Sequence, residues 1–229
     1  MKRLSNCLSA LLLVLFATTT FVACSEDDEE WDPYYSWKVR NDAWFQTVVD
    51  SARRAEAEAR EAYGDAWEEH CEWRKFKSLM KSQDYDSGRT TDSIYVRIVE
   101  RGEGDYSPLW TDTVRMSYRG WMMPSVYKLY NKDNVLVDSL RQEVFSQTYY
   151  NEYDKETATP WVYGLTSLVE GFSTALQYMV AGDDWFVYVP YSLAYGSTAT
   201  GTIPAYSTLV WRIHLDAVYE AGSGVPEWK

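Results

Sequence analysis

The sequence predicts an α+β domain, with one helix laid across an antiparallel sheet and an N-terminal helical segment in front of it. Three observations point there. Apolar and small residues recur at helical spacing over 37–82, strict two-residue alternation takes over beyond Gly88, and one amphipathic helical stretch interrupts that alternation before two further strands. With 229 residues and 46% hydrophobic content, the chain can bury a real core.

The leader comes first. Lys2 and Arg3 precede a short apolar run from Leu8 to Ala17, too short to span a bilayer, and small residues follow. The run closes on Phe21-Val22-Ala23-Cys24, which resembles the lipobox of bacterial lipoproteins. Residues 1–23 are therefore expected to be a lipoprotein signal peptide, with Cys24 as the lipid anchor and 24–36 as an acidic tether. The run Ser25-Glu26-Asp27-Asp28-Glu29-Glu30 is a self-repelling, hydrated spacer. It lacks the alternating ligands and turn glycine of a calcium loop. The expected location is the outer membrane, on its periplasmic or cell-surface face. Cys71 would then be the one thiol left, so no internal disulfide is expected.

Charge narrows the partners. The chain has 22 basic against 34 acidic residues, and losing Lys2 and Arg3 with the leader leaves 20 against 34. Such a chain repels phosphate backbones, so nucleic acid is not an expected partner. The aromatic content of 11 Trp, 19 Tyr and 7 Phe is divided between core filling and a binding surface.

Over 37–82, Val48, Ala52, Ala55, Ala59, Ala62 and Ala66 form a narrow seam, and Arg54 with Glu58 and Glu56 with Arg60 are spaced for ion pairs. A seam of alanines buries little area, so it needs a close partner. That partner is another helix, the domain behind it, or a second copy making a homodimer. A fold and isomerisation-competent domain is expected to begin after it, over 92–220. There, Ile94, Val96 and Ile98 alternate in a first strand, and Val114, Met116 and Tyr118 share one face of the next. Val135 to Asp138 reads as a short third strand. Ser167-Leu168-Val169-Glu170 has capping-box form and opens the helix; Leu168, Phe172, Ala175, Leu176 and Met179 mark its buried face, and Gly182 ends it. Asp184 to Pro190 and Thr208 to Tyr219 are the last strands. In the latter, His214 alternates outward from Trp211 and Ile213 and reads as a surface side chain.

The same order carries a run of motifs: Met116-Ser117-Tyr118-Arg119-Gly120, Leu136-Val137-Asp138-Ser139, Val169-Glu170-Gly171-Phe172, Leu176 to Gly182, Val189-Pro190-Tyr191-Ser192-Leu193-Ala194-Tyr195-Gly196, and Ile203 to Val210. Together they resemble the FKBP-type peptidyl-prolyl cis-trans isomerases over about 93–219. In that family Val-x-Tyr-x-Gly, Phe-Asp-Ser, Val-Ile-x-Gly-Trp, Leu-x-x-Met-x-x-Gly, Ile-Pro-x-x-Leu-Ala-Tyr-Gly and Ile-Pro-Pro-x-x-x-Leu-Val stand at the corresponding places. The resemblance implies an FKBP-like sheet wrapped on one helix. It implies Tyr118, Asp138, Phe172, Tyr195 and Trp211 as catalytic residues and Val137, Trp161, Leu168, Val169 and Ile203 as substrate contacts. Phe172 would be the floor, where the family has Trp. The Ile203 backbone N–H and the Tyr195 hydroxyl would hold the substrate's carbonyls. Val137 stands where the family has an aromatic.

The implied reaction needs no nucleophile, metal or cofactor, since no bond is broken overall. Expected partners are proline-containing unfolded or nascent exported proteins, and the membrane through the lipid anchor. Two other functions remain open at this point: an FKBP-fold chaperone or binding module with little isomerase activity, and a surface glycan-binding lipoprotein. Two segments longer than usual, Gly120 to Val135 and Ser139 to Ala158, are expected to border the pocket mouth.

Overall fold

The computed structural model describes residues 32–85 and 87–228. The leader over 1–23, Cys24 and most of the tether lie outside the described residues. The elements run α1 (Trp37–Tyr63), α2 (Trp67–His70), β1 (Trp73–Lys77), β2 (Ser93–Glu100), β3 (Thr113–Met122), β4 (Ser125–Tyr130), β5 (Leu136–Arg141), β6 (Val144–Gln147), β7 (Trp161–Gly164), α3 (Glu170–Leu176), β8 (Asp184–Val189) and β9 (Leu209–Tyr219). Seven strands form one antiparallel sheet in the order β1-β2-β8-β9-β3. β6 and β7 share the far side of β3, at opposite ends of that strand. β4 and β5 stand apart as a two-stranded hairpin.

Alternation decides which face is dry. Ile94, Val96 and Ile98 on β2, Val114, Met116 and Tyr118 on β3, Trp185, Val187 and Val189 on β8, and Trp211, Ile213 and Leu215 on β9 all belong to one buried cluster with Phe172, Ala175 and Leu176 of α3. α3 can lie this close because of Gly171. A Cβ there would stand 2.3 Å from Val189 Cγ1 and 3.2 Å from the Leu193 carbonyl oxygen, so any side chain would lift the helix off the sheet.

α3 is shorter than the spacing predicts. It begins after Val169 and ends at Leu176, well before Gly182. Ser167 does not cap it: its hydroxyl donates to the Gly164 carbonyl at 2.7 Å inside a tight turn over Leu165–Ser167. Met179 is buried all the same, carried by the turns that follow the helix.

The N-terminal segment departs further. The helical reading over 37–82 fails at 73–77, where β1 pairs with β2 from Trp73↔Arg97 to Lys77↔Ser93. Here the bulky and β-compatible residues override the local helical spacing because β2 offers an open edge. α1 finds its partner in the domain behind it: Phe45, Val48, Val49 and Ala52 bury against Tyr95, with Trp73 and Tyr188 alongside. Its first turn is tied down as well. Trp37 Nε1 donates to Ser207 Oγ at 2.8 Å, and the Thr208 N–H donates to Asn41 Oδ1 at 2.7 Å. Of the expected ion pairs, Glu56–Arg60 forms at 2.9 Å.

His214 corrects the outward reading. It does point away from α3, yet it is buried, because the longer segment after β6 folds over it. The Tyr153 ring stacks on the imidazole at 3.4 Å between centroids, with Tyr149 edge-on at 5.7 Å. Within the longer segment Ser139 to Ala158, Tyr149 and Tyr153 therefore cover the opposite face of the sheet, while Phe145 and Ser146 stay on the pocket side. Burial, then the positive charge of Arg212, hold His214 down at a pKa of about 3, although Nδ1 lies 3.4 Å from Asp184. The carboxylate does little for His214 because Arg212 already claims it, at 2.8 Å.

A stability consequence follows from the sign of that shift. An unfolded His214 takes up a proton near pH 6.5, whereas the folded one refuses it until about 3. Its contribution is complete above pH 6.5 and is lost progressively as pH falls toward 3, by at most about 1.4 kcal/mol per pH unit. Chemical melts over this window should show His214→Gln falling less steeply than the parent. Parallel curves would show that His214 is protonated in the fold.

Candidate functional site

The ring residues of the dry face converge beside α3. A cavity of about 600 Å³ opens there, lined by Tyr118, Phe145, Tyr163, Phe172, Tyr195 and Trp211 among others, a size usual for small-ligand pockets. Phe172 forms the floor. It meets Trp211 edge-to-face at 5.0 Å and Tyr118 at 6.0 Å, and Phe145 meets Trp211 edge-to-face at 5.6 Å. Such crossed rings lock one another's orientation. Gly120 makes room: a Cβ there would fall 2.6 Å from Trp211 Nε1 and 2.9 Å from Phe145 Cζ. This is why the Tyr118-Arg119-Gly120 pattern ends in glycine.

Seven of the expected residues come together. Tyr118, Leu168, Val169, Phe172, Tyr195, Ile203 and Trp211 all line the cavity. Tyr195 sits at the rim, 37% exposed, held by the turn in which the Gly196 N–H donates to the Tyr191 carbonyl at 2.8 Å. Ile203 supplies its side chain only. Its N–H donates to the Thr200 carbonyl at 2.9 Å in a small bridge, so the role expected for that donor is not available.

Three expected residues are elsewhere. Val137 and Asp138 lie on β5, where Val137 pairs with Leu129 and Asp138 makes a 3.1 Å ion pair with Lys128, its side chain 63% exposed. Trp161 begins β7 with its ring edge-on to Tyr118 at 6.3 Å and nearly half exposed, a neighbour of the pocket and not part of its lining. The places expected for Val137 and Asp138 belong to Phe145 and Ser146, which line the cavity from β6. The Tyr118 hydroxyl and Ser146 Oγ are 2.9 Å apart. Burial and the Tyr118 hydroxyl push Tyr163 above the ordinary phenol value.

A signal for this existed in the sequence. Asn131 and Asn134 mark a turn, and the structure uses both. Asn131 Oδ1 accepts from the Asp133 and Val135 N–H groups, and Asn134 adopts φ 57°. Two short strands flanking such a turn read as an inserted hairpin, and the next aromatic followed by a hydroxyl is Phe145-Ser146. The acidic Asp138-Ser139 pair drew the motif to the wrong strand.

No charged side chain lines the cavity among the described residues. The fold is thus a one-helix antiparallel sheet holding a neutral, ring-walled pocket with the dimensions and chemistry to enclose an uncharged group. Residues 105–216 match the family described as FKBP-type peptidyl-prolyl cis-trans isomerase, and they form a domain of that family. The chain is 27% identical over 146 residues to the macrophage infectivity potentiator of Trypanosoma cruzi, spanning 63% of each chain. It is 30% identical over 129 residues to the outer membrane protein MIP of Legionella longbeachae, spanning 56% of this chain and 45% of that protein. It thus spans less than two thirds of either relative. The crystal structure of FkpA from Escherichia coli, 21% identical, overlaps 95% of this chain and 83% of its own with a TM-score of 0.43.

Proposed function

We propose that this chain is a peptidyl-prolyl cis-trans isomerase acting on X-Pro bonds of exported or cell-envelope proteins. The observation that carries the reading is the charge-free pocket over Phe172, built from the motifs the family shares. Amide resonance sets a barrier of about 18–20 kcal/mol to rotation. A planar amide is more polar than a twisted one, so a dry wall of rings disfavours the planar ground state. Each 1.36 kcal/mol of difference is about tenfold in rate. Tyr195 at the rim, with the Tyr118–Ser146 hydroxyl pair, supplies hydrogen bonds to the flanking carbonyls.

Exchange spectroscopy on an Ala-Phe-Pro-type peptide tests this. Added full-length protein should broaden or cross-correlate the cis and trans signals at catalytic amounts. No acceleration by a folded protein would remove the isomerase reading. A second reading, a binding module with little catalysis, has Ser146 in its favour, since the family pattern puts a carboxylate there. Retained binding of an unfolded protein without acceleration supports that alternative.

The anchor belongs to the same proposal. Among the described residues no helix is long and apolar enough to cross a membrane. The lipobox-like Phe21-Val22-Ala23-Cys24 supports attachment through acyl chains on Cys24, and one similar protein is named an outer membrane protein. Cys24→Ala should abolish palmitate incorporation and release the protein from membranes; undiminished labelling would refute the anchor.

A further inference from the structure

The sheet face turned away from α3 carries a second construction, which the isomerase reading does not use. The register places Arg97, Phe186, Arg212 and Arg119 directly opposite one another on β2, β8, β9 and β3. Directly paired residues share a face, so the four make one row across the sheet. The neighbouring row, Tyr95-Tyr188-Val210-Trp121, is covered by α1 at its Tyr95 end. The row on the other side holds Asp184 and His214, under Tyr149 and Tyr153. The arginine row lies in the channel between.

Its charges are only partly balanced, at Arg212. The Arg97 and Arg212 guanidinium groups stand over the Phe186 ring at 4.8 and 5.5 Å. Arg212 is held by Asp184, with Nη2 to Oδ2 at 2.8 Å. Arg119 donates to the Asn151 carbonyl at 3.2 Å, and no described carboxylate pairs with it or with Arg97. Like charges directly opposite across strands are unfavourable, and an acidic chain had many carboxylates with which to quench them. Beside Arg119 and Arg212 opens a cavity of about 300 Å³, walled by Trp121, Phe186 and Val144, with Gln142 and the solvent-exposed Glu152 also lining it; the Glu152 carboxylate stands 3.9 Å from Arg212 and points largely into solvent. A planar two-pronged donor beside an apolar wall matches a carboxylate attached to a ring.

We propose that this cavity binds a small ring-bearing carboxylate, its carboxylate on Arg119 and its ring against Trp121 and Val144. The site is on the far side of the sheet from the aromatic pocket, and the assignment stands whether or not the chain isomerises proline. Arg212 is a structural member, committed to Asp184, and Arg119 is the selecting group.

Titration of the full-length protein by NMR, with phenylacetate as the probe and 2-phenylethanol and inorganic phosphate as comparators, tests it. Phenylacetate should saturate, with the Trp121 indole signal among those that move, and weaken as salt is raised. 2-Phenylethanol and phosphate should each bind about tenfold more weakly, because each lacks one half of the match. Arg119→Gln should lose about tenfold in phenylacetate affinity, and Arg119→Lys, which keeps the charge without the fork, should fall between. Equal binding of 2-phenylethanol would reduce the cavity to an apolar cleft, and equal binding of phosphate to a simple anion site. Either outcome, or parental affinity in a folded Arg119→Lys, overturns the assignment.

Discussion

Phe172→Ala should cost about 3–5 kcal/mol of folding stability and lower kcat/KM on a proline peptide by at least about tenfold. Phe172 is 3% exposed and carries the edges of two other rings, Tyr118 and Trp211. Removing it opens a hole under the pocket, and both rings lose the surface that orients them. Water admitted there solvates the planar amide again, so the rate falls for the same reason that the fold weakens. Domains are stable by roughly 5–15 kcal/mol, so the variant should remain mostly folded at low temperature. That permits a rate per folded molecule, obtained from a chemical melt and an exchange measurement on one sample. Phe172→Leu refills most of the volume and should recover more stability than activity, because a branched chain cannot present a flat floor. An unchanged rate in folded Phe172→Ala would place the reaction away from this pocket.

The second large effect concerns the N-terminal segment. A chain beginning at Ser87 should fail to melt cooperatively, contrary to the separable domain that the sequence suggests. The cut removes β1 and leaves the β2 edge open along Ile94 and Val96. It also strips the rings that cover the sheet: Phe76 stacks on Tyr178 at 4.1 Å, and Trp73 on Tyr188 at 5.5 Å. Phe45 and Val49 leave Tyr95 uncovered, and Ser207 and Thr208 lose Trp37 and Asn41 as hydrogen-bond partners. Calorimetry with a dye for exposed apolar surface decides the matter. A sharp transition and retained peptide isomerisation in the truncated chain would show α1 and β1 to be accessory.

The two-residue period along β2, β3, β8 and β9 needed no partner to be read, because an apolar face declares itself whatever covers it. The same holds for Tyr118 and Trp211, whose side of each strand follows from counting, and for Phe172, whose helix face follows from the helical spacing. The shared motifs were legible for a similar reason. Gly120 and Gly171 sit where a side chain would strike Trp211 or Val189, and a steric demand of that kind leaves one residue type in the sequence.

What a covered face packs against was not legible. Alternation placed His214 away from α3, which is correct, but only the path of Tyr149 and Tyr153 determines that this side is dry as well. Asp138 looked like a pocket acid because it sits beside a serine. The hairpin formed by β4 and β5 carries it outside and hands its place to Ser146. The 73–77 stretch follows the same rule, since a strand at a sheet edge is decided by the neighbour that pairs with it. By itself, then, the sequence determined strands β2, β3, β5, β8 and β9, the helix α3 and most of the rings of the pocket, all of them features set by local period or by steric exclusion. The tertiary structure alone decided the edge strand, the neutral Ser146 wall and the arginine row, because each depends on residues far apart in the chain meeting across strands.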